Sequence, residues 1–174
     1  MHTPKQTFLH NEFWLLTFGG AFQHVSIYKK DVGELERKEF RVSLKKYITD
    51  EIIPQYVDLV TESDHVENLK RIILFSKSFK DILVNGKLNV GVSQKLLNLI
   101  LKYYWCLGEI AMPPHCPVDR IIQVKGLKTT PISWTTISDT EVYLNIITKM
   151  RKEAESKNQT LAEWELEVFQ RNGN

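Results

Sequence analysis

The chain has 174 residues, enough for one domain that buries roughly 70% of its unfolded surface. Its residues are 43% apolar and 25% charged, a balance that excludes a disordered chain. The formal charge of +2, from 23 Lys and Arg against 21 Asp and Glu, does not call for a nucleic-acid partner but allows a local basic face.

Two cysteines, Cys106 and Cys116, cannot build a disulfide framework. The residues after Met1 hold no apolar run of secretory length, and the longest apolar-rich stretch, 96–107, carries Asn98 and Lys102 and is too short to span a bilayer. A soluble cytoplasmic protein with reduced thiols and no membrane partner is expected. No internal repeat, low-complexity tract or Gly/Ser linker divides the chain, so 1–174 reads as a single helical domain.

Taken in order, a first helix is expected over about 11–28, with Phe13, Leu16, Ala21 and Val25 near one face and Gly19-Gly20 weakening its middle. A second, over about 34–53, turns Phe40, Leu44, Tyr47, Ile48 and Ile52 inward and ends before Pro54. A third starts at Ser63 as N-cap and carries Val66, Leu69, Ile72, Ile73, Phe79, Ile82 and Leu83 at spacings of three and four, until Asn85-Gly86 stops it. A fourth opens near Val92 and runs through Leu96, Leu97, Leu99, Ile100, Tyr103 and Tyr104 towards Gly108. The stretch 108–136 holds four of the six prolines and no sustained period, with 118–124 either extended or helical. Two helices close the chain, opened by Ser138 with Glu141 and by Thr160 with Glu163 at capping-box spacing. The expected fold is all-α, an orthogonal multi-helix domain with a helix-hairpin-helix unit at 66–107.

That unit holds the chemically informative residues. A helix ending near Asn85, a short turn and a helix opening at Gly91 would present backbone amides and a positive helix end in one direction, a seat for a DNA phosphate. Gly91 and Ser93 are small enough for close backbone approach, with Lys87 and Gln94 beside them. The run from Leu88 to Lys95, followed after one helix by Pro117-Val118-Asp119, resembles the helix-hairpin-helix superfamily of DNA glycosylases. Gly91, Val92 and Lys95 fall on the family's Gly-Val-Gly-x-Lys hairpin, and Pro117, Val118 and Asp119 on its Pro-Val-Asp segment. The resemblance implies that Lys95 attacks a sugar C1′ as an amine and that Asp119 stabilises the developing charge or activates the nucleophile. Such chemistry needs the base out of its stack, where Tyr103, Tyr104, Trp105 or Trp134 could receive it, Tyr104 and Trp105 being the chosen pair. Ser93 replaces the second hairpin glycine, 109–115 lengthens the path to Asp119, and Arg120-Ile121 stands where the family often has Val-His or Thr-His. The segment 94–119 is also similar to one in uncharacterised bacterial proteins, a likeness that implies no function.

Each of these residues has a plainer role open to it. Lys95 can be a first-turn lysine on an amphipathic helix, and Asp119 beside Pro117 can order a turn. Cys106, His115, Cys116 and Asp119 fit no closed tetrahedral zinc pattern, and adjacent His115 and Cys116 lack a third group to orient them. No metal or other cofactor is expected. Lys70, Arg71, Lys77, Lys80 and Lys87 lead into the hairpin and would carry phosphate contacts if DNA binds. Two rivals stand beside a glycosylase or abasic-site lyase. One is a nucleic-acid-binding domain without chemistry, and the other a non-enzymatic interaction module whose 113–117 loop binds a protein or seals a homodimer.

Overall fold

The computed structural model describes residues 3–169, and it is all-α. Helix α1 (Pro4–Phe22) begins earlier than expected because Thr3 and Gln6 form a capping box with Pro4 in the first turn, a start signal stronger than anything at Asn11. Its buried residues, His10, Trp14, Thr17 and Ala21, share one face against α4 (Val90–Cys106). Gly20 sets the spacing, since a β-carbon there would lie 2.8 Å from Leu99 Cδ1.

Helix α2 (Glu34–Tyr47) continues through a wide π turn (Ile48–Ile52) and a tight 3₁₀ turn (Ile53–Tyr56). Phe40, Leu44, Ile48 and Ile52 are all fully buried at a spacing of four. A regular helix repeats every 3.6 residues, so the wider turn helps this stripe stay inward.

Helix α3 (Glu62–Ser76) is capped by Thr61, not Ser63, and stops nine residues before Asn85. At its end the Ser76 hydroxyl donates to Ile73 O and accepts from Leu88 N, fastening the chain after the helix back onto it. Residues 77–89 form a 3₁₀ turn (Lys77–Phe79), a bridge from Leu83 to Tyr28 and a left-handed turn at Gly86. Phe79, Ile82 and Leu83 do face inward, but from this looped segment, so the expected short hairpin between two helices is replaced by thirteen residues paired with another part of the chain.

Helix α4, capped by Asn89, is the axis of the fold: 14 of its 17 residues are buried. A helix enclosed on nearly every side must find partners inside the protein for its polar residues. Several of those come from 108–136, which packs against the core. Ala111 N donates to Tyr56 O, and Cys116, Val118 and Ile122 enter the core. The undecided stretch 118–124 becomes helical from Arg120, running into a π turn (Ile122–Gly126), and a 3₁₀ turn (Trp134–Thr136) follows later. Helix α5 (Thr140–Ser156) is capped by Asp139 instead of Ser138, and α6 (Leu161–Val168) keeps the Thr160–Glu163 box. Among the described residues no helix is long and apolar enough to cross a membrane.

Candidate active site

Lys95 and Asp119 meet. The ammonium Nζ lies 2.5 Å from Asp119 Oδ2, with both side chains about nine-tenths buried. Two contacts deliver Asp119. Its Oδ1 accepts from Ile122 N, starting the helical turn that follows. Gln94, next to Lys95 on α4, donates from Nε2 to Val118 O at 2.9 Å and accepts at Oε1 from Val118 N at 3.0 Å. Gln123 repeats the device on Ile132, accepting its N–H at 2.8 Å and donating to its carbonyl at 2.9 Å.

The pair lines a cleft of about 750 Å³ between α1, α4 and the 119–135 segment. Leu16 and Gly19 line it from α1 and His24 from just beyond it, Leu99 and Tyr103 from α4, and Ile132 and Trp134 from the connecting segment. Gly19 leaves open space where a β-carbon would stand. The exposed Arg120 adds a cation to the lining.

Two turns along α4 from Lys95, a second buried pair joins Lys102 Nζ to Glu165 Oε2 at 2.7 Å. The Phe169 ring, 4.3 Å from Lys102 Nζ, extends from there to the cleft. Burial pushes the Glu165 carboxyl above its usual range, while Lys102 and Lys95 pull against that shift and Asp119 adds to it. The two pairs therefore sense each other as one neutral set of four charges. On the next polar position of α4, Asn98 Nδ2 donates to Cys116 O and to Tyr143 OH. Tyr143 OH in turn meets His115 Nδ1 at 2.8 Å, and the His115 ring lies 4.5 Å from that of His65.

The anion seat expected at the hairpin is closed. Gly91 and Ser93 are buried, Gly91 N donates to Ile137 O at 2.9 Å, and Val92 N is taken by the Asn89 side chain. A phosphate has no access to these amides, and Gln94 is spent on Val118, so the DNA contacts assigned to Gly91, Ser93 and Gln94 are corrected. Of that group only Lys87 is exposed. Gly91 serves packing instead: a β-carbon there would fall 1.7 Å from Trp134 O. We expect Gly91→Ala to lose about 3 kcal/mol in chemical denaturation, near the top of the overpacking range because the obstructing atom is backbone. A cost below 1 kcal/mol would show that the Trp134 strap lifts freely.

The stacking pair also changes. Tyr104 is buried and stacked on His10 at 4.6 Å, and half-buried Trp105 does not line the cleft, whereas Tyr103 and Trp134 do. The sequence reading did not place Gln23, His24, Arg120 or Phe169 in the site, nor pair Lys102 with Glu165. A second lysine seven residues after Lys95, on the same polar face of the helix, was the available signal for the last. Cys106 and Cys116 are free thiols, and among the described residues no group of three or more His, Cys, Asp or Glu side chains could hold a metal ion. Comparison with known proteins yields no match to a family model, a curated protein or a solved structure, so the chemistry of the site is argued from its own geometry.

Proposed function

We propose that the cleft receives a DNA strand and that Lys95 attacks the C1′ carbon of a deoxyribose, giving abasic-site lyase activity with or without prior base excision. The observation that supports this reading is the Lys95–Asp119 contact at 2.5 Å beside open space walled by Tyr103 and Trp134. Proton transfer from the Lys95 ammonium to the Asp119 carboxylate frees the nitrogen lone pair. At an abasic aldehyde the amine adds to C1′, and loss of water leaves a protonated imine. Removal of a C2′ proton then breaks the C3′–O bond, and the 3′ phosphate departs with the bonding electrons. Where a base is still attached, attack at C1′ breaks the N-glycosidic bond, and the base leaves after taking a proton. In both cases Asp119 is placed to hold the proton and to balance positive charge at the sugar. Tyr103 and Trp134 line the space that a ring drawn out of the stack would enter.

Access is through the cleft and not across the Gly91 turn, so this departs from the hairpin grip that the family resemblance implies. The bond from Ile122 N to Asp119 Oδ1 favours a second reading, in which the pair ties the connecting segment to α4 in a binding module without chemistry.

Reduction with borohydride separates the two. Wild-type protein mixed with an abasic-site oligonucleotide is expected to give a covalent adduct on a denaturing gel. The double variant Lys95→Met/Asp119→Asn, which removes the amine without stranding a buried charge, is expected to give none. An adduct of equal yield in the variant, or none in the wild type, rules the chemistry out.

A further inference from the structure

We infer that Lys29, Lys30, Lys77, Lys80 and Lys87 form one basic ledge at the end of the cleft, and that it holds the phosphate backbone of a DNA strand whose sugar reaches Lys95. The inference rests on the reading above for its ligand and on separate residues for its evidence.

Backbone connections assemble the ledge. Tyr28 bridges to Leu83, Lys29 N donates to Ile82 O, and Val84 N donates to Ile27 O, which joins the stretch holding Lys29 and Lys30 to the loop holding Lys77, Lys80 and Lys87. Within that loop Lys80 packs beside the left-handed Gly86, where a β-carbon would stand 3.7 Å from Lys80 Cβ. Both margins of the cleft connect along the chain to this patch. On one side His24 lines the cleft at the end of α1, five residues before Lys29. On the other, Thr135 lines it and its carbonyl accepts from Asn89 Nδ2, two residues after Lys87.

The charges there are unspent. All five lysines are exposed, and among the described residues none of them forms an ion pair, unlike Lys46 and Lys70, which pair with Asp50 and Glu67. Their acidic neighbours in sequence are Asp31 and Asp81. The patch thus carries a surplus of three positive charges in a chain whose total is +2, and the remainder of the molecule is slightly acidic. Unpaired surface charges act over about 8–10 Å at physiological salt, roughly the reach of the groups on such a patch. Lysines present point charges with no base preference, which suits a row of phosphates better than a sequence-specific contact. A partner that combines such a row with a flat ring for Tyr103 and Trp134 and an electrophilic sugar for Lys95 is a nucleic-acid strand. An acidic protein lacks the sugar.

The test is fluorescence anisotropy of a labelled abasic-site oligonucleotide, titrated between about 50 and 200 mM salt. Lys77→Gln/Lys80→Gln/Lys87→Gln is expected to bind at least tenfold more weakly, with a salt slope shallower by about two, since each lost phosphate contact removes roughly 0.7–0.9. Lys149→Gln/Lys152→Gln/Lys157→Gln, the same charge loss at exposed sites in and just after α5, should bind like the wild type. Equal losses in both triple variants, no loss in the first, or no wild-type binding at 50 mM salt would each overturn the ledge. Binding that depends on the ledge but never yields a borohydride adduct keeps the ledge and sinks the lysine chemistry.

Discussion

Asp119→Ala is expected to lower the unfolding free energy by about 3–5 kcal/mol, the usual cost of stranding one member of a buried ion pair. Lys95 Nζ makes its contact with Asp119 Oδ2 at the cleft wall, with side chains only 7% and 10% exposed, so water replaces the lost partner poorly. The carboxylate also accepts from Ile122 N, and the alanine variant removes that bond too. Lys95→Met alone strands the carboxylate and should cost less, because Ile122 N still serves it. Lys95→Met/Asp119→Asn removes both charges while the amide oxygen keeps the bond to Ile122, and it should return to within about 1 kcal/mol of the wild type. Denaturant titration of the four proteins completes the cycle. If Asp119→Ala costs under 1 kcal/mol, the pair is solvated and its placement on the cleft floor is wrong.

The second large effect concerns acid. His65 and His115 are fully buried, and burial pushes both imidazoles down. Burial pushes the His115 imidazole down to about 3, with the charge of Arg151 contributing; for His65 the neighbouring His115 deepens the fall while Glu62 and Asn98 oppose it. The groups facing the two rings are Tyr56, Asn98, Tyr143 and Glu62, and Glu62 is itself held by Arg151. Below the ordinary histidine pKa of 6.5 the unfolded chain takes up protons that the folded protein refuses. The stability that the neutral imidazoles confer is complete above pH 6.5 and is lost as pH falls, for His115 down to about 3 at about 1.4 kcal/mol per pH unit, with His65 adding in the same direction. For His115 alone the loss approaches about 5 kcal/mol. His115→Asn cannot titrate, so its urea midpoint should fall less steeply between pH 6 and 4, by a slope equal to one proton. Parallel slopes in the two proteins would show that His115 is charged in the fold.

These features divide sharply in how well the sequence announces them. Phe40, Leu44, Ile48 and Ile52 sit one turn apart, and apolar spacing alone places them inward. The Thr160–Glu163 box likewise spans only four residues. By contrast α4 reads as amphipathic, with Gln94, Lys95, Asn98 and Lys102 as its wet face, and that face is inside. Its partners Val118, Asp119, Cys116 and Glu165 lie 18 to 63 residues away, and no local period records such distances. Lys95 and Asp119 were joined through a family resemblance, not through spacing. The same resemblance misled at Gly91, where the glycine admits Trp134 instead of a phosphate. Apolar spacing overextends α3, because Phe79, Ile82 and Leu83 keep helical spacing while the backbone pairs with residues 27–29. Tyr104 was misassigned because its stacking partner, His10, comes from the other end of the chain.

Gln94 and Gln123 carry a wider implication. A carboxamide offers the same donor and acceptor as a peptide group, so each glutamine stands in for a neighbouring strand where the protein has no sheet. Both tethers are uncharged and lie within the body, so the ionic strength that weakens attraction at the lysine ledge leaves them intact. The cavity is consequently shaped before any guest arrives, and little conformational entropy remains to be surrendered on association.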